Sequence, residues 1–194
     1  MRYANLAALF MLALLAACGR QDSAFHASDV TGALPALDFA LTRANDGRAV
    51  SADDYRGKVA ILYFGYTHCP DICPTTLANL AEMLSKLGAK ADGVRVLFVT
   101  VDPDRDTLAT MKGYVRSFAP QIDGLRGTPD QLTALTRRYR VAFSVTPGPP
   151  YEVMHSNAAF FFDETGRARL VSMSTDSIAG DVNDVLSISQ EGRH

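Results

Sequence analysis

The segment at residues 65–74 constrains this chain most strongly, because it delivers two cysteines to the junction between a strand and a helix. Its sequence, GYTHCPDICP, separates Cys69 from Cys73 by three residues and follows each with a proline. The apolar run at residues 59–64 predicts a buried strand. After the motif, apolar side chains recur at the spacing of one helix face, which predicts an amphipathic helix ending near Gly88.

The prolines fix where the two thiols lie relative to that helix. Pro74 suits the first helical position, so we expect Cys73 at the helix boundary and Cys69 in the turn before it. Unpaired N–H groups and partial positive charge at a helix start favour thiolates. Two such sulfurs can close into a disulfide or converge on a soft metal ion. Both alternatives are open on this pattern.

Length and composition exclude several classes of protein. A chain of 194 residues with 47 % hydrophobic and 21 % charged residues is sufficient for one compact domain. The formal net charge is −2, and no basic stripe is present, which argues against nucleic-acid binding.

The N-terminus predicts export. The apolar stretch at residues 6–17 has the length of a signal-peptide core and is shorter than the roughly 20 residues of a transmembrane helix. The sequence LAACG at residues 15–19 resembles a bacterial lipoprotein box. That resemblance implies a signal peptide at residues 1–17, a lipid on Cys18 and a tether at residues 18–30; an ordinary secretory signal and an uncleaved anchor are the alternatives. Export implies an oxidising compartment, in which Cys69 and Cys73 tend to form a disulfide.

The rest of the chain predicts a layered α/β domain at residues 31–190. Strands are expected at residues 37–42 and 94–101, and a short edge strand at residues 122–126. Two further strands, at residues 158–163 and 168–172, are expected to form a hairpin. Helices are expected from an N-cap at Asp106 to Phe118, at residues 129–139 and at residues 177–188. Residues 145–150, VTPGPP, predict an irregular proline-rich loop.

A metal site would need a third ligand, and His155 is the best placed of the four histidines. It follows the proline-rich loop and precedes the apolar strand. His26 lies in the predicted tether and His194 is the last residue. His68 neighbours Cys69, and adjacent side chains of an extended segment point in opposite directions.

The segment GYTHCPDICP is similar to the signature of the Sco/SenC family. The match continues at VDPDRDT, residues 101–107, and at YEVMHS, residues 151–156. The resemblance implies a thioredoxin-like fold with a central mixed sheet flanked by helices. The turn signal Asn45-Asp46-Gly47 adds an N-terminal hairpin extension to it, and residues 145–150 add a proline-rich loop insertion. Members are membrane-tethered copper chaperones for cytochrome c oxidase assembly.

Carried over residue by residue, the resemblance implies that Cys69, Cys73 and His155 bind one copper ion, Cu(I) or Cu(II). The Cys69–Cys73 disulfide would then be the oxidised, metal-free form. The implied partners are the copper-receiving subunit of the oxidase and a periplasmic copper donor or thiol reductant. The chain would be a lipoprotein whose soluble domain lies in the periplasm. Met154 stands where the family commonly has Asp, and we expect it to be a packing residue.

Two rival functions and one rival metal are compatible with parts of this pattern. In a thiol–disulfide oxidoreductase or redox sensor, Cys69 would attack a disulfide and Cys73 would resolve it, with copper incidental. The usual redox motif has two intervening residues, however, and does not require His155. A peroxidase would use Thr67 upstream of Cys69, although the surrounding sequence departs from that pattern. Zinc is a chemically possible occupant of a Cys₂His site.

Overall fold

The structure, a computed structural model, describes residues 25–191. The predicted signal peptide, Cys18 and His194 lie outside these residues. Within them the strands are β1 (Ser28–Asp29), β2 (Ala40–Arg43), β3 (Ala49–Ser51), β4 (Val59–Gly65), β5 (Val94–Thr100), β6 (Ile122–Arg126), β7 (Phe143–Thr146), β8 (Glu152–His155), β9 (Ala159–Phe162) and β10 (Ala168–Ser172). The α-helices are α1 (Ile72–Leu87), α2 (Leu108–Arg116), α3 (Pro129–Arg138) and α4 (Ile178–Glu191).

Eight strands form one mixed sheet in the order β1-β10-β9-β4-β5-β6-β2-β3. Strands β4, β5 and β6 run parallel, whereas β9 and β2 are antiparallel to their neighbours. Every residue of β4 is buried, as its continuous apolar sequence predicts. Gly65 pairs with Thr100, so β4 and β5 end together at one edge of the sheet. The predicted layered α/β architecture is confirmed.

Strand β6 lies inside the sheet, so the prediction of an edge position was wrong. The hairpin β2–β3 covers its outer side, with Thr42 opposite Arg126. Ile122 and Leu125 are consequently buried. The hairpin turn contains Gly47 at φ 76°, a left-handed conformation that glycine adopts without strain.

Helix α2 begins later than predicted. Its N-cap is Thr107, whose hydroxyl accepts a hydrogen bond from the Thr110 N–H at 3.1 Å. Asp106 is therefore not the cap, because its carboxylate is buried and bonded elsewhere. Helix α3 begins at Pro129 as predicted, behind a capping box formed by Thr128 and Gln131.

The predicted proline-rich loop is present, but it is shorter than expected and forms the turn of a hairpin. Strands β7 and β8 pair as a separate two-stranded sheet, with Phe143 opposite His155 and Thr146 opposite Glu152. The prediction is confirmed for residues 147–150, which hold the three prolines in an exposed turn where no ladder hydrogen bond is required of them, and it was wrong for Val145 and Thr146, which belong to β7.

The end of the predicted tether is part of the domain. Ser28 and Asp29 pair with β10, and the N–H groups of His26 and Ala27 donate to the Asp184 carboxylate, both at 2.8 Å. The domain thus includes residues that were assigned to the tether at 18–30. Across residues 25–191, no helix combines the length and the apolar character that crossing a membrane requires.

Candidate metal site

The cysteine motif occupies the edge where β4 ends and α1 begins. The helix starts at Ile72, so Cys73 is its second residue and Pro74 its third. This corrects the predicted boundary at Cys73 by two positions. The N–H groups of a first helical turn still lack intrahelical partners, and the Cys73 N–H donates to Cys69 Sγ at 3.4 Å. The predicted placement of both thiols at a helix start is therefore confirmed.

His155 approaches this pair from the separate hairpin. One potential ligand atom from each of Cys69, Cys73 and His155 lies within 4.8 Å of the other two. His155 Nε2 is 3.2 Å from Cys73 Sγ, and both cysteines are free thiols. Among residues 25–191, no other group of three His, Cys, Asp or Glu side chains converges in this way.

The two thiols have different electrostatic environments. Burial raises the pKa of Cys73 to about 12, and the side chain has no exposed surface. Burial also acts to raise the pKa of Cys69, but hydrogen bonds from the backbone N–H groups of Asp71 and Cys73 and from the Cys73 and Tyr66 side chains together lower that pKa overall. Cys69 is partly exposed, so it is the more accessible and more easily ionised thiol.

His155 is prepared as a neutral ligand. Burial lowers its pKa, and Nδ1 lies 2.9 Å from the carbonyl oxygen of Ser156. A carbonyl oxygen can only accept, so Nδ1 carries the proton and the lone pair of Nε2 faces Cys73. Two thiols and one neutral imidazole fit a soft cation such as copper(I). The same ligands also bind zinc, so they do not select strictly between the two metals.

Gly65 makes room for the Cys73 sulfur, a role that the sequence did not reveal. A Cβ atom at this position would lie 2.8 Å from Cys73 Sγ and 2.7 Å from a ring carbon of Phe98. Glycine in the motif is thus required by the close approach of the sulfur.

Two aromatic rings surround the imidazole of His155. Tyr63 and Tyr66 contact it edge-on, with ring centroids 6.3 and 5.7 Å from the centroid of the imidazole.

Asp106 is a second residue whose role sequence reasoning missed. Its buried carboxylate accepts hydrogen bonds from the Thr67 hydroxyl at 2.6 Å, the Thr67 N–H at 3.0 Å and the Thr100 hydroxyl at 2.6 Å. It therefore ties the cysteine turn to the end of β5. Asp106 is part of the VDPDRDT motif, which matches the family, but its presence there was equally well explained by capping of the next helix.

Two candidate residues lie outside the site. The His68 side chain is 49 % exposed and contacts the Thr67 hydroxyl and the Asp106 carboxylate. Met154 is 71 % exposed, so the prediction of a packing residue was wrong. Successive side chains of a strand lie on opposite faces. Because His155 in β8 faces the cysteines, Met154 faces solvent.

Comparison with known proteins agrees with this geometry. A family model described as SCO1/SenC matches residues 30–187. The chain belongs to the SCO1/SenC family. The mitochondrial SCO2 homologue of Bos taurus is 41 % identical over 153 residues, which are 73 % of this chain and 57 % of that protein. The chain thus spans little more than half of this relative's length.

Solved family structures share the thioredoxin-like fold and include copper-bound forms. Copper-bound ScoI of Arabidopsis thaliana superposes with a TM-score of 0.74 at 32 % identity, covering 80 % of this chain and 98 % of that chain. Yeast Sco1 with copper bound gives 0.70 at 34 % identity, covering 79 % and 88 %. The resemblance and the fold class predicted from the sequence are both confirmed.

Proposed function

We propose that this chain is a copper metallochaperone that helps to assemble the copper centre of cytochrome c oxidase. The convergence of Cys69, Cys73 and His155 on one point carries this proposal. Copper-bound relatives from Arabidopsis thaliana, Bradyrhizobium japonicum and yeast support copper over zinc as the cargo. One ion per domain is expected, because one such group is found among residues 25–191.

Copper replaces protons at the two sulfurs. Cys73 is protonated at neutral pH because burial raises its pKa, so its proton leaves as the metal enters. Two thiolates and Cu(I) leave one net negative charge at the site. His155 contributes a neutral donor and no further charge, since its proton stays on Nδ1, which donates to the Ser156 carbonyl oxygen.

A Cys69–Cys73 disulfide is the oxidised, metal-free form in this proposal. The disulfide must be reduced before copper can bind: a partner dithiol supplies two electrons and two protons and becomes a disulfide itself, and copper then displaces the thiol protons. The copper-receiving oxidase subunit and a periplasmic copper donor are the other partners. The lipid on Cys18, the periplasmic location and the tether to the membrane rest on the sequence at residues 1–30.

The asymmetry of the two thiols favours thiol–disulfide exchange as a second activity. Cys69 is accessible and its pKa is lowered, so its thiolate would attack a target disulfide and form a mixed disulfide. Cys73 would then displace the target thiol, but burial and a raised pKa make it a slow attacking group. Thr67 gives little support to a peroxidase, since its hydroxyl is bonded to Asp106.

Copper binding by ligand variants tests the proposal. Cys69→Ser, Cys73→Ser and His155→Ala are each expected to weaken Cu(I) affinity by at least about 100-fold in competition with a chromogenic chelator. His68→Ala is the matched control, because this neighbouring imidazole lies outside the site and should leave affinity unchanged. Unchanged affinity in His155→Ala would contradict the site.

A deletion strain separates delivery from reduction. Loss of oxidase activity that added copper restores would support delivery, whereas restoration by an added thiol reductant would support the exchange activity. Mass spectrometry of the mature protein tests the anchor, and an unmodified Cys18 would refute it.

A further inference from the structure

The hairpin that carries His155 needs something to hold it in place. Strands β7 and β8 form a two-stranded sheet of their own, separate from the eight-stranded sheet. Their side chains alternate between partly buried and exposed, and Phe143 and Val153 pack against the core. An isolated two-stranded hairpin is marginally stable in water. Its position over Cys73 therefore depends on its contacts with the domain.

One such contact joins Tyr151, just before β8, to the loop after β5. The Tyr151 hydroxyl donates to Asp102 Oδ1 at 2.8 Å, while Arg105 Nε donates to Asp102 Oδ2 at 2.5 Å. The Arg105 guanidinium also lies over the Tyr151 ring, 3.9 Å from its centroid. Such a cation–π contact adds to the hydrogen bonds. Tyr151 is thus held through both its hydroxyl and its ring.

The domain side of this contact is rigid, whereas the hairpin side is peripheral. Asp102 is 1 % exposed and its N–H donates to the Thr100 hydroxyl at 3.0 Å, which fixes it to the end of β5. Tyr151 is partly exposed and follows the exposed turn at residues 147–150. Opening of the hairpin would therefore separate Tyr151 from a stationary Asp102–Arg105 pair.

The contact also continues to the metal ligands. Arg105 lies 5.7 Å from the centroid of the Tyr66 ring, and that ring meets the His155 ring edge-on at 5.7 Å. The Tyr66 hydroxyl faces the Val153 carbonyl of β8 at 3.5 Å. Tyr66 belongs to the cysteine segment, so displacement of the hairpin breaks contacts on both sides of the site.

We propose that Tyr151, Asp102 and Arg105 form a latch that keeps the β7–β8 hairpin closed over Cys73 and positions His155. The role of the latch in copper retention rests on the proposed function. His155 is the one proposed ligand on the hairpin, so opening removes it from the metal and leaves the two thiolates exposed to a recipient. The latch residues are positioning residues and do not touch the metal.

The variant Tyr151→Phe tests the latch in the purified, reduced full chain, since it deletes the hydroxyl and keeps the ring. The matched control is Tyr55→Phe. It removes another hydrogen bond from a tyrosine hydroxyl to a carboxylate, that of Tyr55 to Asp123 Oδ2 at 3.0 Å. Tyr55 precedes the start of β4, and the cysteine motif follows the end of that strand. Both variants are made in a Cys69→Ser background, and alkylation of Cys73 is followed without metal. Hydrogen exchange is measured over residues 143–155.

Loss of the latch is expected to increase Cys73 alkylation and hairpin exchange by about three- to tenfold, the range for one hydrogen bond. Tyr55→Phe should lower the denaturant midpoint and leave both local rates unchanged. Unchanged alkylation and exchange in Tyr151→Phe would overturn the latch. The alkylation and exchange measurements are made without copper, so they test the latch even if the parent chain binds no copper.

The copper arm connects the latch to the metal. In the background with both cysteines, Tyr151→Phe should increase the rate of Cu(I) release to a chelator by a similar factor. If alkylation increased while copper release did not, the positioning of His155 by the latch would be refuted. Absence of copper binding in the parent chain would instead refute the proposed function.

Discussion

The β4–α1 junction and the β7–β8 hairpin hold the same proposed metal in different ways. The junction is continuous with the fully buried strand β4, and its cysteine turn is bonded to Asp106 in the loop after β5. The hairpin is a peripheral two-stranded sheet with an exposed turn. Two ligands thus follow directly from a fully buried strand, and the third lies on a peripheral hairpin.

This difference suits a protein that must both hold and release an ion. A site with three rigid ligands would favour retention, because no ligand could leave without disturbing the core. With His155 on a separate element, one donor can move while Cys69 and Cys73 keep their geometry. Changes at the junction should therefore affect folding and binding together, and changes at the hairpin should affect the site alone.

Asp106→Ala should have the largest effect, because it acts on the rigid side. The substitution leaves the Thr67 N–H and two threonine hydroxyls without their acceptor. We expect a loss of about 3 kcal/mol or more in the free energy of unfolding, because each buried donor left unsatisfied costs about 1–3 kcal/mol. Urea denaturation of the reduced protein measures it.

The exposed neighbour Asp104 provides the control for that experiment. Asp104→Ala should leave the free energy of unfolding within about 0.5 kcal/mol of the parent. An equally small loss in Asp106→Ala would show that the cysteine turn does not depend on this network.

Gly65→Ala should have an intermediate effect and should impair both folding and binding. The added Cβ would overlap Cys73 Sγ and the buried Phe98 ring, so we expect a loss of about 1–3 kcal/mol and a weaker copper affinity. Gly124→Ala is the control. A Cβ atom at Gly124 would lie 3.4 Å from its nearest neighbours, and the substitution reduces the conformational entropy of the unfolded chain by the same amount. Equal losses in the two variants would contradict a specific role for Gly65.

The sequence predicted the elements that depend on local patterns. Strand β4 and helix α1 follow from a continuous apolar run and a helical repeat, and α3 follows from its capping residues. The ligand set came from the resemblance, since 82 positions separate Cys73 from His155. Spacing along the chain alone does not specify that the two converge.

What the sequence did not reveal depends on contacts between distant segments. Asp106 bonds Thr67 across 39 positions, and Gly65 matters only because Cys73 folds back against it. Strand β6 was placed at an edge because pairing with β2 leaves no trace in its own sequence. The prolines at residues 147–150 suggested irregular structure, although they interrupt only the turn between two paired strands.

The smallest predicted effect is a pH dependence confined to the hairpin. Burial lowers the pKa of His155 in the closed form, whereas an exposed imidazole in an open form titrates near 6.5. As pH falls below about 6.5, the open form binds a proton that the closed form rejects, so opening becomes more favourable until the closed-form pKa is reached. Hydrogen exchange over residues 143–155 in the reduced, metal-free protein should therefore accelerate between pH 7.5 and 5.5, after correction for intrinsic rates.

The groups around His155 allow this pH dependence to be assigned. Tyr63, Tyr66 and Cys73 have raised pKa values and stay protonated in this range, whereas the lowered pKa of Cys69 makes a Cys69→Ser background necessary. His155→Gln should abolish the pH dependence, and exchange in β4 should show none. If β4 accelerated in parallel with the hairpin, the two regions would open as one unit, and the contrast between a rigid junction and a mobile third ligand would be wrong.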